Sequence, residues 1–352
     1  MPQLGLFNHL KLPTSVIRWV ALICLFGMGL VSNSVLAAAP KGIYVAYGRA
    51  LNENILRAPY LAGVLVRVPW KDIEPVEGQY DWSYLHREIN LAQRYGKKVA
   101  LAVISGPSTP DWVYQAGAES YAFTLMNPHS PRGGLNEQIP LPWDPVFLAK
   151  WSRTIVALGK EFGQNPAISL VHVTGSSKNG FELQLPDDNP MRTPANSPRP
   201  WVARGFDNRK FVRAWTQIID VFGRSFPNKY LDIEVHPILG ESGPASELVA
   251  YGFKQYGTRF GAFGAWLSGR NLAWDKDIQV VMKNQCQRSF CNYQLIANGT
   301  RQSHRLGEGG LIGTIQSGIA QGSRYFEVWE VDVKNTNYDQ ALNQIAQTLA
   351  NN

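Results

Sequence analysis

From residue 42 onward, short runs of Val, Ile, Leu and aromatic residues alternate with longer stretches whose apolar residues recur every three or four positions. The short runs predict strands at 42–48 (GIYVAYG), 63–70 (GVLVRVPW), 98–105 (KVALAVIS), 168–174 (ISLVHVT), 230–237 (YLDIEVHP), 260–267 (FGAFGAWL), 292–298 (NYQLIAN) and 324–331 (RYFEVWEV). The longer stretches predict helices over 83–95, 145–162, 208–226, 245–256 and 338–350, with a Gly-rich, weaker pattern over 306–321. The clearest helical stripe is Phe211, Trp215, Ile218, Ile219 and Phe222. Eight strands alternating with helices predict an α/β fold, a single-domain (β/α)8 or TIM barrel over residues 38–352. No G-x-G-x-x-G follows a strand, which argues against a dinucleotide-binding sheet.

Three connections rich in Pro, Trp and Gly, at 106–144, 175–206 and 269–292, are predicted as long loops. All three follow strands, which puts them on the C-terminal rim where such barrels keep their active sites.

Alternate residues of a strand face opposite sides. In 230–237, Leu231, Ile233 and Val235 form one face and Asp232, Glu234 and His236 the other. The apolar face belongs against the helices and the polar face toward the barrel axis. The same reasoning turns Arg67, His172, Gln294 and Glu327 inward, because a charge under the apolar helix layer is costly. Branched apolar side chains ordinarily fill a barrel interior, so this set of polar residues marks a candidate site.

Composition narrows the class. With 45% hydrophobic and 17% charged residues the chain has the material for a large core and is not a disordered polypeptide. Lys11 and Arg18 are followed by an apolar run, WVALICLFGMGLV, and by VLAAA, which predicts a cleavable secretory signal over residues 1–37 and a secreted or periplasmic protein with no stable membrane span after cleavage. Loss of that segment removes Cys24 and leaves Cys286 and Cys291 as a predicted local disulfide. No metal-ligand spacing and no cofactor motif stand out. The net charge of +7 favours an acidic partner, but no basic block interleaved with aromatics points to nucleic acid. A monomer is expected.

Residues 66–112 read VRVPWKDIEPVEGQYDWSYLHREINLAQRYGKKVALAVISGPSTPDW. Arg67, Trp70, Ile73-Glu74-Pro75, Gly78, Tyr80-Asp81-Trp82, Gly96 and Trp112 resemble the second-to-third-strand region of clan A glycoside hydrolases, the β-galactosidase-like and cellulase-like barrels. The resemblance implies a glycosidase with a Glu just after the fourth strand as acid/base. Here that is Glu182, preceded by Phe181 where the clan usually has Asn. It also implies a nucleophilic Glu ending the seventh strand, and this chain has none there. Glu327 is taken as the second carboxylate. Glu234, and the absence of any nucleophile, remain open. Arg67, His172, His236 and Gln294 are expected to orient substrate, and Trp70, Trp112, Trp266 and Trp329 to offer faces for sugar rings.

Two-carboxylate hydrolysis of a poly- or oligosaccharide, with retention, is the function implied. A catalytically silent carbohydrate-binding barrel of an envelope or exopolysaccharide system is the alternative, and a transglycosylase on the same site a third.

Overall fold

The computed structural model describes residues 38–48, 50–125, 134–186, 199–270 and 275–351; the predicted signal segment lies outside them. Among the described residues ten strands occur: β1 (Gly42–Ala46), β2 (Leu61–Pro69), β3 (Lys98–Ile104), β4 (Ser120–Thr124), β5 (Asn136–Pro140), β6 (Ile168–Val173), β7 (Tyr230–Glu234), β8 (Phe260–Leu267), β9 (Cys291–Leu295) and β10 (Tyr325–Trp329). Eight of them close a barrel in the order β1-β10-β9-β8-β7-β6-β3-β2, and every pair in it is parallel. The fold is the predicted (β/α)8 barrel.

Helices Ser83–Arg94, Pro145–Phe162, Asn208–Ser225, Gly243–Tyr256, Gly310–Ala320 and Asp339–Asn351 follow their predicted stripes. Each turns its apolar stripe to the outer surface of the sheet. Helix Asn208–Ser225 buries Phe211, Trp215, Ile218 and Phe222, at about 1.5–3 kcal/mol per large side chain. Asp144 and Asp207 cap their helices by accepting from the backbone N–H groups of Phe147 (2.8 Å) and Lys210 (3.0 Å).

All three predicted loops contain regular structure, and the one at 175–206 holds the short helix Arg199–Ala203. The connection at 269–292 holds helix Lys276–Arg288, whose stripe is reduced to a few buried residues, Ile278, Met282 and Gln285 among them. The connection at 106–144 holds helix Asp111–Gln115 and an antiparallel hairpin of β4 and β5, which stands outside the barrel. Cys286, on helix Lys276–Arg288, and Cys291, opening β9, form the predicted disulfide. No helix among the described residues is long and apolar enough to cross a membrane.

The division of faces follows the strand alternation. Val64, Val66, Val68, Val171, Val173, Leu231, Ile233 and Val235 join the large core between sheet and helices. Tyr44, Leu65, Leu170, Phe181, Phe263 and Tyr325 form a second apolar cluster. The inward polar residues lie beside this smaller cluster, and they build the site.

Candidate active site

In mid-barrel, β6 supplies His172, β7 supplies Asp232, β9 supplies Asn292 and Gln294, and β10 supplies Glu327. His172 Nδ1 lies 2.7 Å from Asp232 Oδ1, and its Nε2 lies 3.3 Å from Glu327 Oε1. Glu327 also accepts from Tyr325 Oη (2.6 Å) and Gln294 Nε2 (2.7 Å), while Asn292 Nδ2 donates to Asp232 Oδ2 (2.8 Å). Burial alone would lower the pKa of His172, but the two flanking carboxylates outweigh it and push the imidazole up to about 9. His172 is therefore a buried cation between two acids. Burial, followed by the negative charge of Glu327, drives the Tyr325 hydroxyl well above its ordinary range.

Nearer the rim stands a different group. The chain leaves β6 and turns sharply through Ser177, Asn179 and Gly180 into Glu182. Asn179 organises that turn: its Oδ1 accepts from the N–H groups of Phe181 (3.0 Å) and Glu182 (2.8 Å), and its Nδ2 donates to Glu182 Oε1 (2.7 Å). Leu183 N donates to Glu234 Oε2 at 2.6 Å, which ties the loop to the end of β7. Glu234 Oε1 also meets His236 Nδ1 at 3.3 Å. One oxygen from Glu182, one from Glu234 and a ring nitrogen of His236 all lie within 4.8 Å of one another. Burial first, then the negative charge of Glu234, raises the pKa of Glu182; His236, Asn179 and Lys178 offset part of that rise.

The carboxylate beside Glu182 is thus Glu234. Glu327, expected to pair with Glu182, is fully buried and engaged in the His172 layer. Phe181 explains part of this separation. Its ring packs against His172 and Phe263, with centroids 5.2 and 5.4 Å away, and the Arg67 guanidinium lies over the same ring, 5.6 Å from its centroid. The charge of Arg67 is felt by both groups. Burial lowers its pKa, and Glu327 and Glu182 work against that lowering.

The tryptophan predictions divide. Trp70 is no sugar platform: it is fully buried against Trp112, Trp151 and Phe147, with its Nε1 donating to Glu74 Oε2 (2.8 Å). Trp266 is also buried, belongs to the core between sheet and helices, and donates to Val235 O (2.8 Å). A register shift on β8 between Gly264 and Leu267 breaks the alternation on which the inward placement would depend. Trp112 and Trp329 are only partly buried, so ring edge or face remains open to solvent.

Glu74, within the motif that carries the resemblance, is a structural hub. It is fully buried and accepts from Trp70 Nε1, Gly78 N, Thr154 Oγ1 and Arg153, while its carbonyl accepts from Trp112 Nε1 (2.9 Å). The motif thus fastens the second-strand region to helix Pro145–Phe162. Asn179 was missed at the sequence level because it lies three residues before Glu182, not next to it.

Glu182, Glu234 and His236 are the described residues whose donor atoms gather closely enough for a divalent ion. The same spacing suits an acid pair.

The sequence family of glycoside hydrolases described as beta-galactosidase (family 42) matches residues 61–182, from the start of β2 to Glu182 itself. Among solved structures, the catalytic domain of a beta-amylase from Paenibacillus polymyxa superposes with a TM-score of 0.60 at 12% identity, covering 88% of this chain and 100% of that one. The chain is a clan A glycoside hydrolase-like barrel. Beta-galactosidases from psychrophilic Marinomonas ef1 and from Rahnella sp. R3 each give a TM-score of 0.55, at 11% and 13% identity, over 88% and 90% of this chain. The chain spans only 59% and 57% of those two proteins. At such identities the structural likeness is one of fold, and the likeness to glycoside hydrolases in sequence rests on the family match over residues 61–182. No curated protein sequence matches it.

Proposed function

We propose that this protein is an exported glycoside hydrolase that cleaves an oligo- or polysaccharide, with Glu182 as acid/base and Glu234 as the second carboxylate. One observation carries the assignment: a carboxyl group with a raised pKa faces another carboxylate across less than 4.8 Å at the end of the barrel strands. Retaining glycosidases hold their carboxyl groups about 5–5.5 Å apart, whereas inverting ones leave about 6.5–9.5 Å for a water. The close spacing favours retention.

In the first step Glu182, protonated, gives its proton to the glycosidic oxygen as that bond to the anomeric carbon breaks. Glu234 Oε adds to the same carbon and forms a glycosyl ester. In the second step Glu182, now ionised, takes a proton from water, whose oxygen displaces Glu234. Burial raises the pKa of Glu182, the direction that favours the protonated form the first step needs. The Leu183 N–H and His236 hold Glu234 in place. Arg67 supplies positive charge beside Glu182. Export is supported by the basic and apolar N-terminal sequence and by the Cys286–Cys291 disulfide, a bond that persists in oxidising compartments.

The test is proton NMR of the first product released from a panel of polysaccharides. Retention of the anomeric configuration, with release abolished in Glu182→Gln, is the expected result. Inversion would exclude Glu234 as nucleophile. Tight saccharide binding with no reducing ends formed over days would favour the silent binding barrel instead.

A further inference from the structure

The strands end beside a second recess that the acid pair does not use. A groove of about 700 Å³ runs between helix Trp70–Ile73, helix Asp111–Gln115 and β5, outside the barrel mouth. Its walls mix two kinds of surface. Trp112, Tyr114 and Pro107 provide flat apolar faces, and Asp72, Asp111 and Gln138 provide carboxylate and amide groups.

The rigidity of these walls is built in. Trp112 is pinned by its indole N–H on Glu74 O and by edge contact with Trp70, so its ring is held before any ligand arrives. Pro107 lies in the short 3-10 turn Gly106–Ser108, and β5 rests against that turn.

We infer that this groove is a second saccharide-binding site, which holds sugar units of a longer chain beyond those at Glu182 and Glu234; the inference rests on the glycosidase reading. Three features select a saccharide. Flat aromatic and proline faces pack against the C–H faces of pyranose rings, and adjacent carboxylates and amides accept and donate to ring hydroxyls. The charge is wrong for an anionic ligand, since Lys71 is the only cation among the lining residues, against the acidic Asp72, Asp111 and Glu137. Finally, the groove adjoins the catalytic loop. Gly106, next to Pro107, packs its backbone so closely on the 177–180 turn that an added Cβ would stand 2.3 Å from Ser177 O. A chain lying in the groove therefore sits one backbone turn from the loop that carries Glu182.

The experiment is titration calorimetry on Glu182→Gln protein with β-1,4-linked hexasaccharides of galactose, glucose, mannose and xylose, each beside its disaccharide. At least one hexasaccharide is expected to bind about tenfold more tightly than its disaccharide, or about 1.4 kcal/mol. Adding Tyr114→Ala with Gln138→Ala should remove that gain and leave disaccharide affinity in place. Asp72→Ala, on the opposite wall, serves as the second variant should the first fail to fold. No gain with chain length, or a gain that survives both variants, overturns the inference. If the gain is present and groove-dependent while the wild-type protein cleaves none of the hexasaccharides, the groove stands and the hydrolytic reading falls.

Discussion

Asn179 and Glu234 set the protonation of Glu182 from opposite directions. Asn179 Nδ2 stabilises the ionised carboxylate, and the negative charge of Glu234 destabilises it. The basic limb of the kcat/KM profile, which follows loss of the proton from Glu182, should therefore lie above the usual carboxylate range. Asn179→Ala should move that limb to higher pH. Glu234→Gln should move the limb of its residual activity to lower pH. A limb that stays fixed in both variants would show that another group supplies the proton. At this scale the sequence was informative about chemistry and weak about pairing. Alternation on β7 put Glu234 and His236 inward, as found, but no sequence signal said that the Glu182 loop would fold over β7 and leave Glu327 below Phe181. The tryptophans misled for a related reason: Trp70 and Trp266 sit near strand ends, yet their indole N–H groups are spent on buried acceptors.

The loop bearing Glu182 depends on Gly106 and Gly180, whose backbones meet beyond the ends of β3 and β6. Gly180 has φ of +75°, and a Cβ there would stand 2.4 Å from Ser105 O and 2.7 Å from Ile104 Cγ2. Both faults act together, so Gly180→Ala should cost about 1–3 kcal/mol and displace Glu182. Gly117→Ala is the control: its φ is +103°, but nothing lies within 4 Å of an added Cβ. Chemical denaturation and kcat should fall together in Gly180→Ala, whereas Gly117→Ala should lose stability alone. Equal loss of kcat in both variants would remove the interlock from the account. Elements were the most legible level, because apolar periodicity of two and of 3.6 is written directly in the chain. The strands and most helices lie within a few residues of their predicted places. Helix Lys276–Arg288 was hidden by its polar surface, and the β4–β5 hairpin by the polar residues of β5, Asn136, Glu137 and Gln138.

The barrel as a whole encloses a buried imidazolium, and its stability should record that. The pKa of His172 is raised from 6.5 to about 9, so its ion pairs contribute fully below about pH 6.5 and are lost as pH climbs through about 9. The melting temperature should decline over that window more in the wild-type protein than in His172→Gln; parallel declines would mean that His172 is neutral in the folded state. The closed barrel was legible from eight alternating elements, and its polar interior from strand alternation. Which carboxylate sits beside Glu182 and which beside His172 emerged only from the folding of the Glu182 loop onto β7 and the packing of Phe181. The central claim is that Glu182 works with Glu234 and that Glu327 is structural. Its most direct test is the kcat/KM of Glu182→Gln, Glu234→Gln and Glu327→Gln, each paired with a melting curve. The account predicts losses of about a hundredfold to ten-thousandfold in the first two at near wild-type stability, with Glu327→Gln losing stability first. A stable Glu327→Gln protein as inactive as Glu182→Gln, beside an active Glu234→Gln, would contradict it.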